Sequence, residues 1–264
     1  MISIAGIELE MLERGQGAPI LYLHGGSGVG LDLPFLDLLA KERRVIAPSH
    51  PGFGKSSLPD WLDSVDDIAH VYLELMNRLG LTRTDLVGFS IGGWIAAELA
   101  TKLPERLDHL VLIGPVGVKT GKSDKLDIPD IFAMPREKLD RLRFHDLAKN
   151  PADLATMPDE ELNIVARNNE TLALLTWEPY MHNPKLKHRL HCVDVPALFL
   201  RGASDGIVSA EYLERYAALL PKARIETIAE AGHLPHVEQP TKTAAKVLQF
   251  LKSEPSGANA RSQS

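Results

Sequence analysis

The chain has 264 residues, 44% hydrophobic and 24% charged, which is long enough for a large core and unlike a disordered composition. Lys and Arg number 29 against 35 Asp and Glu, a formal net charge of −6, so nucleic acid is a poor partner for such a surface. A single cysteine, Cys192, excludes an internal disulfide and reads as a small buried hydrophobe.

No apolar run approaches the roughly 20 residues of a spanning helix. Met1 to Glu13 carries charges every few residues, unlike a leader or a membrane anchor. A soluble, cytoplasmic globular protein is the expectation, with its oligomeric state open between monomer and homodimer.

In chain order, Ile7 to Glu13 alternates apolar and acidic side chains, the period of a half-exposed strand, and Gly15-Gln16-Gly17 turns it. Pro19 to His24 is a continuous apolar run, as are Val45 to Ala47, Asp85 to Phe89 and Leu110 to Ile113. Such runs fit strands covered on both faces. Between them, Ser64 followed by Asp67 marks a helix start, and Ile68, Val71, Tyr72, Leu75 and Leu79 continue it at helical spacing. Ile91 to Leu103 is alanine-rich and stops at Pro104.

Between about Val118 and His191 the strand rhythm lapses, leaving helices near Pro135 to Leu147 and Pro158 to Thr176. It resumes with Val195 to Leu200, a helix over Ser209 to Leu219, a strand over Arg224 to Ile228 and a helix over Pro240 to Lys252. Alternating strands and helices predict a three-layer α/β fold around a mostly parallel sheet. The expected division is a core of 1–117 and 192–252, a helical cap insertion at 118–191, and a frayed tail at 253–264.

The most specific feature is Gly88-Phe89-Ser90-Ile91-Gly92 between an apolar strand and a helix. A nucleophile on so sharp a turn needs strained backbone angles, and glycine two residues to either side removes the collisions that side chains would cause. Serine needs a base, and Ala231-Gly232-His233 places His233 in a loop at the carboxyl end of the sheet, where ligands collect. His236 is the rival, read as a loop residue. The imidazole needs an acceptor to hold its tautomer, and Asp205 follows the strand ending at Leu200 at the same edge.

His24-Gly25-Gly26-Ser27-Gly28 lacks the spacing of a nucleotide loop. It reads better as half of an oxyanion hole, the Gly26 amide meeting that of Ile91, with Ser27 as a substitute donor and His24 supporting the loop from beneath. No set of His, Cys and carboxylates has metal-ligand spacing. Trp177, beside Glu178, Tyr180 and Met181, is a candidate for the pocket roof, and Arg141, Arg143 and Arg167 are candidates to face a substrate carboxylate.

With these residues in place, the chain resembles α/β-hydrolase-fold enzymes of the capped, esterase-like kind, from about Ile7 to Lys252. The resemblance rests on His24-Gly25-Gly26, Pro51-Gly52-Phe53-Gly54-Lys55-Ser56, Gly88 to Gly93, Asp205 and Gly232-His233. It implies an eight-stranded, mostly parallel sheet, a cap inserted after the sixth strand, and no cofactor. Two departures stand out. Ser49-His50 precedes Pro51 where Asp is common two residues before Pro-Gly-x-Gly. Leu234 follows His233 where carbon–carbon bond hydrolases of this fold often carry an aromatic residue.

The expected activity is hydrolysis of small to medium carboxylic esters by Ser90, His233 and Asp205, with water as second substrate and no nucleic acid or membrane partner. Alternatives on the same triad are hydrolysis of carbon–carbon bonds in dienoic diketo acids, of lactones or of carbamates, and a lyase or perhydrolase reaction. A ligand receptor on this fold is the non-enzyme alternative.

Overall fold

Five apolar runs and an edge strand on either side assemble into one seven-stranded sheet in the computed structural model, which describes residues 1–151 and 153–253. Its strands are β3 (Met11–Arg14), β4 (Pro19–Leu23), β5 (Arg44–Pro48), β6 (Thr84–Phe89), β7 (Leu107–Ile113), β8 (Ala197–Gly202) and β9 (Ala223–Ile228). They lie in the order β3-β5-β4-β6-β7-β8-β9, with β3 antiparallel to β5 and the remaining pairs parallel. Every residue of β6 is buried, because helices cover both faces of a parallel sheet.

The expected eighth strand is absent from this sheet. The alternating N-terminal run breaks at Glu10, and β1 (Ile2–Ile4) pairs with β2 (Ile7–Leu9) in a separate antiparallel hairpin. Glu10 leaves the ladder because it serves the 49–56 loop. Its amide donates to Ser56 Oγ at 3.0 Å and its carboxylate accepts from Ser49 Oγ at 3.0 Å. The long segment between β7 and β8 therefore follows the fifth strand of the large sheet, not the sixth.

The first helix, α1 (Leu33–Leu39), has only seven residues, too few for its period to stand out in the sequence. Next, α2 (Val65–Arg78) begins at a capping box, Ser64 Oγ accepting from the Asp67 amide and the Asp67 carboxylate from the Ser64 amide. Then α3 (Ile91–Lys102) is apolar on nearly every side and packs directly behind β6. The segment between β7 and β8 carries α4 (Arg136–Arg143) and α5 (Asp159–Thr176). After β8 come α6 (Ala210–Ala217), α7 (Pro235–Glu238) and α8 (Pro240–Phe250). Among the described residues no helix is long and apolar enough to cross a membrane. Apart from Ser253, the tail expected to fray lies outside the described residues.

Strands β4 and β6 are neighbours, although β5 intervenes in sequence and lies on the far side of β4. The chain changes direction across the sheet at this point, opening a crevice at the carboxyl ends of both strands. The loop after β4 and the turn after β6 meet there.

Candidate active site

Ser90 occupies the turn between β6 and α3 with φ 54° and ψ −116°, a strained conformation for a residue with a side chain. Its amide is tied to the Ile113 carbonyl at 2.9 Å. The two glycines of the motif have separate jobs. A Cβ on Gly88 would stand 2.3 Å from the Gly92 carbonyl oxygen, and one on Gly92 would stand 2.1 Å from that of Leu23. The first glycine lets the turn close on itself, and the second lets α3 press against the end of β4.

His233 lies in the loop between β9 and α7, and its Nε2 is 3.1 Å from Ser90 Oγ. Its Nδ1 is 3.0 Å from Asp205 Oδ2. Asp205, just after β8, is held by its other oxygen, which accepts from the amides of Ile207 at 2.9 Å and Val208 at 2.8 Å. Asp205 and His233 are both buried. Three loops from three strand ends thus converge at hydrogen-bond distance.

Ser90 and His233 open onto a cavity of about 310 Å³ that Gly26, Ser27 and Ile91 also line. Ile91 is the first residue of α3, where amides have no acceptor within the helix and face outward with the positive end of its dipole. The remaining wall is largely apolar, with Ile131, Phe132, Leu172, Met181 and Ile207 prominent. The arrangement can carry out nucleophilic attack on a carbonyl, with a base on one side and amides on the other.

A family model for the alpha/beta hydrolase fold matches residues 18–240. The chain belongs to the α/β-hydrolase family. It is similar to a 2-hydroxymuconate semialdehyde hydrolase from Pseudomonas sp. strain CF600, 28% identical over 95% of this chain and 92% of that one. Among solved structures, a thermophilic esterase from Thermogutta terrifontis is 26% identical, with a TM-score of 0.70 and 93% of each chain covered. A membrane phospholipase A is also 26% identical, with a TM-score of 0.78, covering 95% of this chain and 84% of that one.

In this α/β hydrolase, several residues singled out in the sequence lie away from the cavity wall. Trp177 is exposed and is not among the residues lining the cavity; its ring stands 5.8 Å from that of Phe132, which does line it. Its neighbour Met181 takes the lining position, while Tyr180 braces the segment by donating to the Pro129 carbonyl and accepting from the Ile131 amide. Arg167 turns to the Gly54 and Ser56 carbonyls, and only Arg143 of the three arginines lines the cavity. Cys192 is exposed, contrary to its reading as a buried hydrophobe, because Leu190 takes the buried place in that turn.

His236 does not compete with His233. It lies buried in α7 with Nε2 2.9 Å from Asp32 Oδ1, and its ring packs on Phe89. His24 and His50, both fully buried, support the loop after β4 and do not line the cavity, their rings stacked at 3.7 Å. His24 Nδ1 donates to the Gly25 carbonyl and its Nε2 accepts from the His50 amide. His50 Nε2 donates to the His24 carbonyl, leaving Nδ1 to accept from Tyr72 Oη. Each ring thus uses one nitrogen as donor and the other as acceptor, the pattern of neutral imidazole. Burial accordingly pulls both pKa values below the ordinary histidine value, and for His50 the neighbouring His24 pulls the same way.

Two residues escaped the sequence reading. Glu238 accepts from the amides of Gly232 at 2.6 Å, Asp146 at 2.9 Å and His145 at 3.0 Å, clamping the His233 loop to the segment after α4. The His233 amide itself donates to the Arg143 carbonyl at 2.7 Å. Asp140, between Arg136 and Arg143 on the cavity wall, is the second. The Glu238 contacts to His145 and Asp146 join residues distant in sequence, which only a fold could reveal, whereas Asp140 pairs with Arg136 and Arg143 at the local spacing of one helix. Burial holds the Arg143 pKa below the ordinary guanidinium value, with Asp140 opposing that shift. Among the described residues no group of three or more His, Cys, Asp or Glu could hold a metal ion.

Proposed function

We propose that this α/β hydrolase cleaves carboxylic esters of small to medium size through an acyl-enzyme at Ser90, with the 118–191 segment acting as a cap over the site. The observation that carries this reading is the file of contacts from Asp205 through His233 to Ser90, ending in an apolar cavity. Ser90 Oγ attacks the ester carbonyl while His233 Nε2 takes its proton. Asp205 accepts from His233 Nδ1 and steadies the imidazolium. The amides of Gly26 and Ile91 receive the tetrahedral oxyanion. His233 then protonates the departing alcohol, and a water activated by the same nitrogen releases the acid. The similarity to the Thermogutta terrifontis esterase supports this choice of bond, and the single exposed Cys192 suits a cytoplasmic setting.

A second reading, hydrolysis of a carbon–carbon bond next to a ketone, is favoured by the 28% identity to the 2-hydroxymuconate semialdehyde hydrolase. Leu234, buried after His233, weighs against it. Product analysis separates the two. Chromogenic short-chain esters and a dienoic keto acid are offered to the purified enzyme. The ester reading predicts alcohol release and kcat/KM at least tenfold higher on the esters. Preferential cleavage of the keto acid contradicts it.

A further inference from the structure

Beside the cavity that holds Ser90 lies a second one of similar size, about 330 Å³. The two share Gly26, Ser27, Arg136, Arg143 and Asn169. At this shared neck, formed by residues that line both cavities, Arg143 Nη2 donates to Ser27 Oγ at 3.0 Å, so a side-chain hydrogen bond marks the boundary between the two. Beyond the neck the wall includes Leu31, Leu154, Met157, Ile164 and Val165, with Glu161 and Asn168 also present. Asn168 fixes one side, donating to the Ser27 carbonyl at 3.1 Å and accepting from the Gly54 amide at 2.9 Å.

The two chambers differ in one respect that decides their use. His233 and Ser90 line the first and are absent from the second, whereas Gly26 lines both. The oxygen of a departing alcohol must come within about 3 Å of His233 to receive its proton, which places the leaving oxygen in the first chamber. Gly26, the proposed donor to the carbonyl oxygen, and Ser27 beside it also line the second chamber, which leaves that chamber as the outlet for the other substituent of the carbonyl carbon. We infer that the second chamber is the acyl subsite, taking an apolar acyl chain of medium length past the Arg143–Ser27 hydrogen bond. This rests on the reading of Ser90 as the nucleophile of an ester hydrolase. The chamber holds roughly ten times the ~30 Å³ share of a liquid water molecule, so an acetyl group leaves it unused and an octanoyl chain occupies it. Each methylene buried there raises kcat/KM by about fourfold if all its transfer free energy is realised.

The test uses two series of esters: one aryl alcohol with linear acyl chains of increasing length, and one acetyl group with alcohols of increasing length. Ile164→Trp, on α5, and Leu154→Trp, on the irregular stretch before it, each narrow the second chamber. The readout is the ratio of kcat/KM for the octanoyl and acetyl esters within one preparation, which does not depend on the fraction folded. We expect kcat/KM of the wild type to rise with acyl length, and the octanoyl-to-acetyl ratio to fall at least tenfold in either variant. The alcohol-series ratio is expected to stay within about threefold. An unchanged octanoyl ratio in both variants, or a fall confined to the alcohol series, overturns the acyl assignment. If the wild type hydrolyses no ester of either series, the ester-hydrolase reading itself fails, a result distinct from hydrolysis without chamber dependence.

Discussion

Opposite ends of the sheet each hold a buried histidine–aspartate pair, and the two differ in what the second ring nitrogen of the histidine meets. At the carboxyl edge His233 meets Asp205 at 3.0 Å, and its second nitrogen faces Ser90. At the amino edge His109 meets Asp85 at 2.7 Å, but its second nitrogen faces the Ser253 carbonyl at 3.1 Å. Asp85 is also held by Arg43, which bonds in turn to the Leu251 carbonyl. The first pair leaves a nitrogen for a hydroxyl on a strained turn, and the second spends everything on fastening the end of α8 to the sheet. Burial does not distinguish them, since side-chain exposure is 7% and 0% for His233 and Asp205 against 3% and 4% for His109 and Asp85. A His–Asp pair becomes chemical through what its free nitrogen meets.

The largest expected effect comes from removing that third partner. Ser90→Ala should lower kcat on a chromogenic ester by on the order of 10⁶, with the melting temperature nearly unchanged, because only one hydroxyl is lost. Activity within tenfold of wild type would remove Ser90 from its role. Next, Asp205→Asn should cost about 10⁴ in kcat by analogy with other triads, since an amide favours the wrong imidazole tautomer. Full activity in that variant would move the orienting acid elsewhere.

The matching change at the other edge, Asp85→Ala, should leave kcat per folded molecule within about twofold. It should instead reduce unfolding free energy by about 3–5 kcal/mol, the cost of leaving the Arg43 guanidinium and the buried His109 ring without their acceptor. Urea denaturation and active-site titration read the two quantities separately. A stable Asp85→Ala protein with impaired turnover would contradict the division between the edges.

The carboxyl-edge half of this contrast was legible in the sequence, and the His109–Asp85 pair was not. Ser90 stood out because the steric demands of a strained turn leave glycine at 88 and 92, a local constraint written in local sequence. His233 and Asp205 followed from their positions just beyond strands, which place them at one edge of a parallel sheet. The lining of the cavity was less accessible. Trp177 and Met181 are four residues apart on one short stretch, and hydrophobicity cannot say which turns inward. Arg143, Glu238 and the His24–His50 stack act through contacts spanning dozens of residues, which no periodicity records. The missing eighth strand has a similar cause, since Glu10 is claimed by the loop at Ser49 and Ser56.

A smaller effect tests the buried histidine stack beneath the loop after β4. His24 and His50 are buried with pKa values lowered from 6.5. Below about pH 6.5 the unfolded chain therefore binds protons that the folded chain refuses. Stability is full above that pH and falls on acidification, by up to about 1.4 kcal/mol per pH unit for each histidine. Unfolding free energies from pH 7.5 to 5.5 should show this slope, and His50→Gln should lessen it. The same slope in that variant would clear His50 of any part in acid sensitivity.

Activation of Ser90 as the nucleophile is the step on which the proposed hydrolysis depends, and a p-nitrophenyl alkylphosphonate tests it most directly. Intact-protein mass spectrometry should show one phosphonyl adduct per chain, with peptide mapping placing it on Ser90. Labelling should slow by at least a thousandfold in His233→Ala. An absent adduct, one on another residue, or labelling at the wild-type rate without His233 would contradict the account.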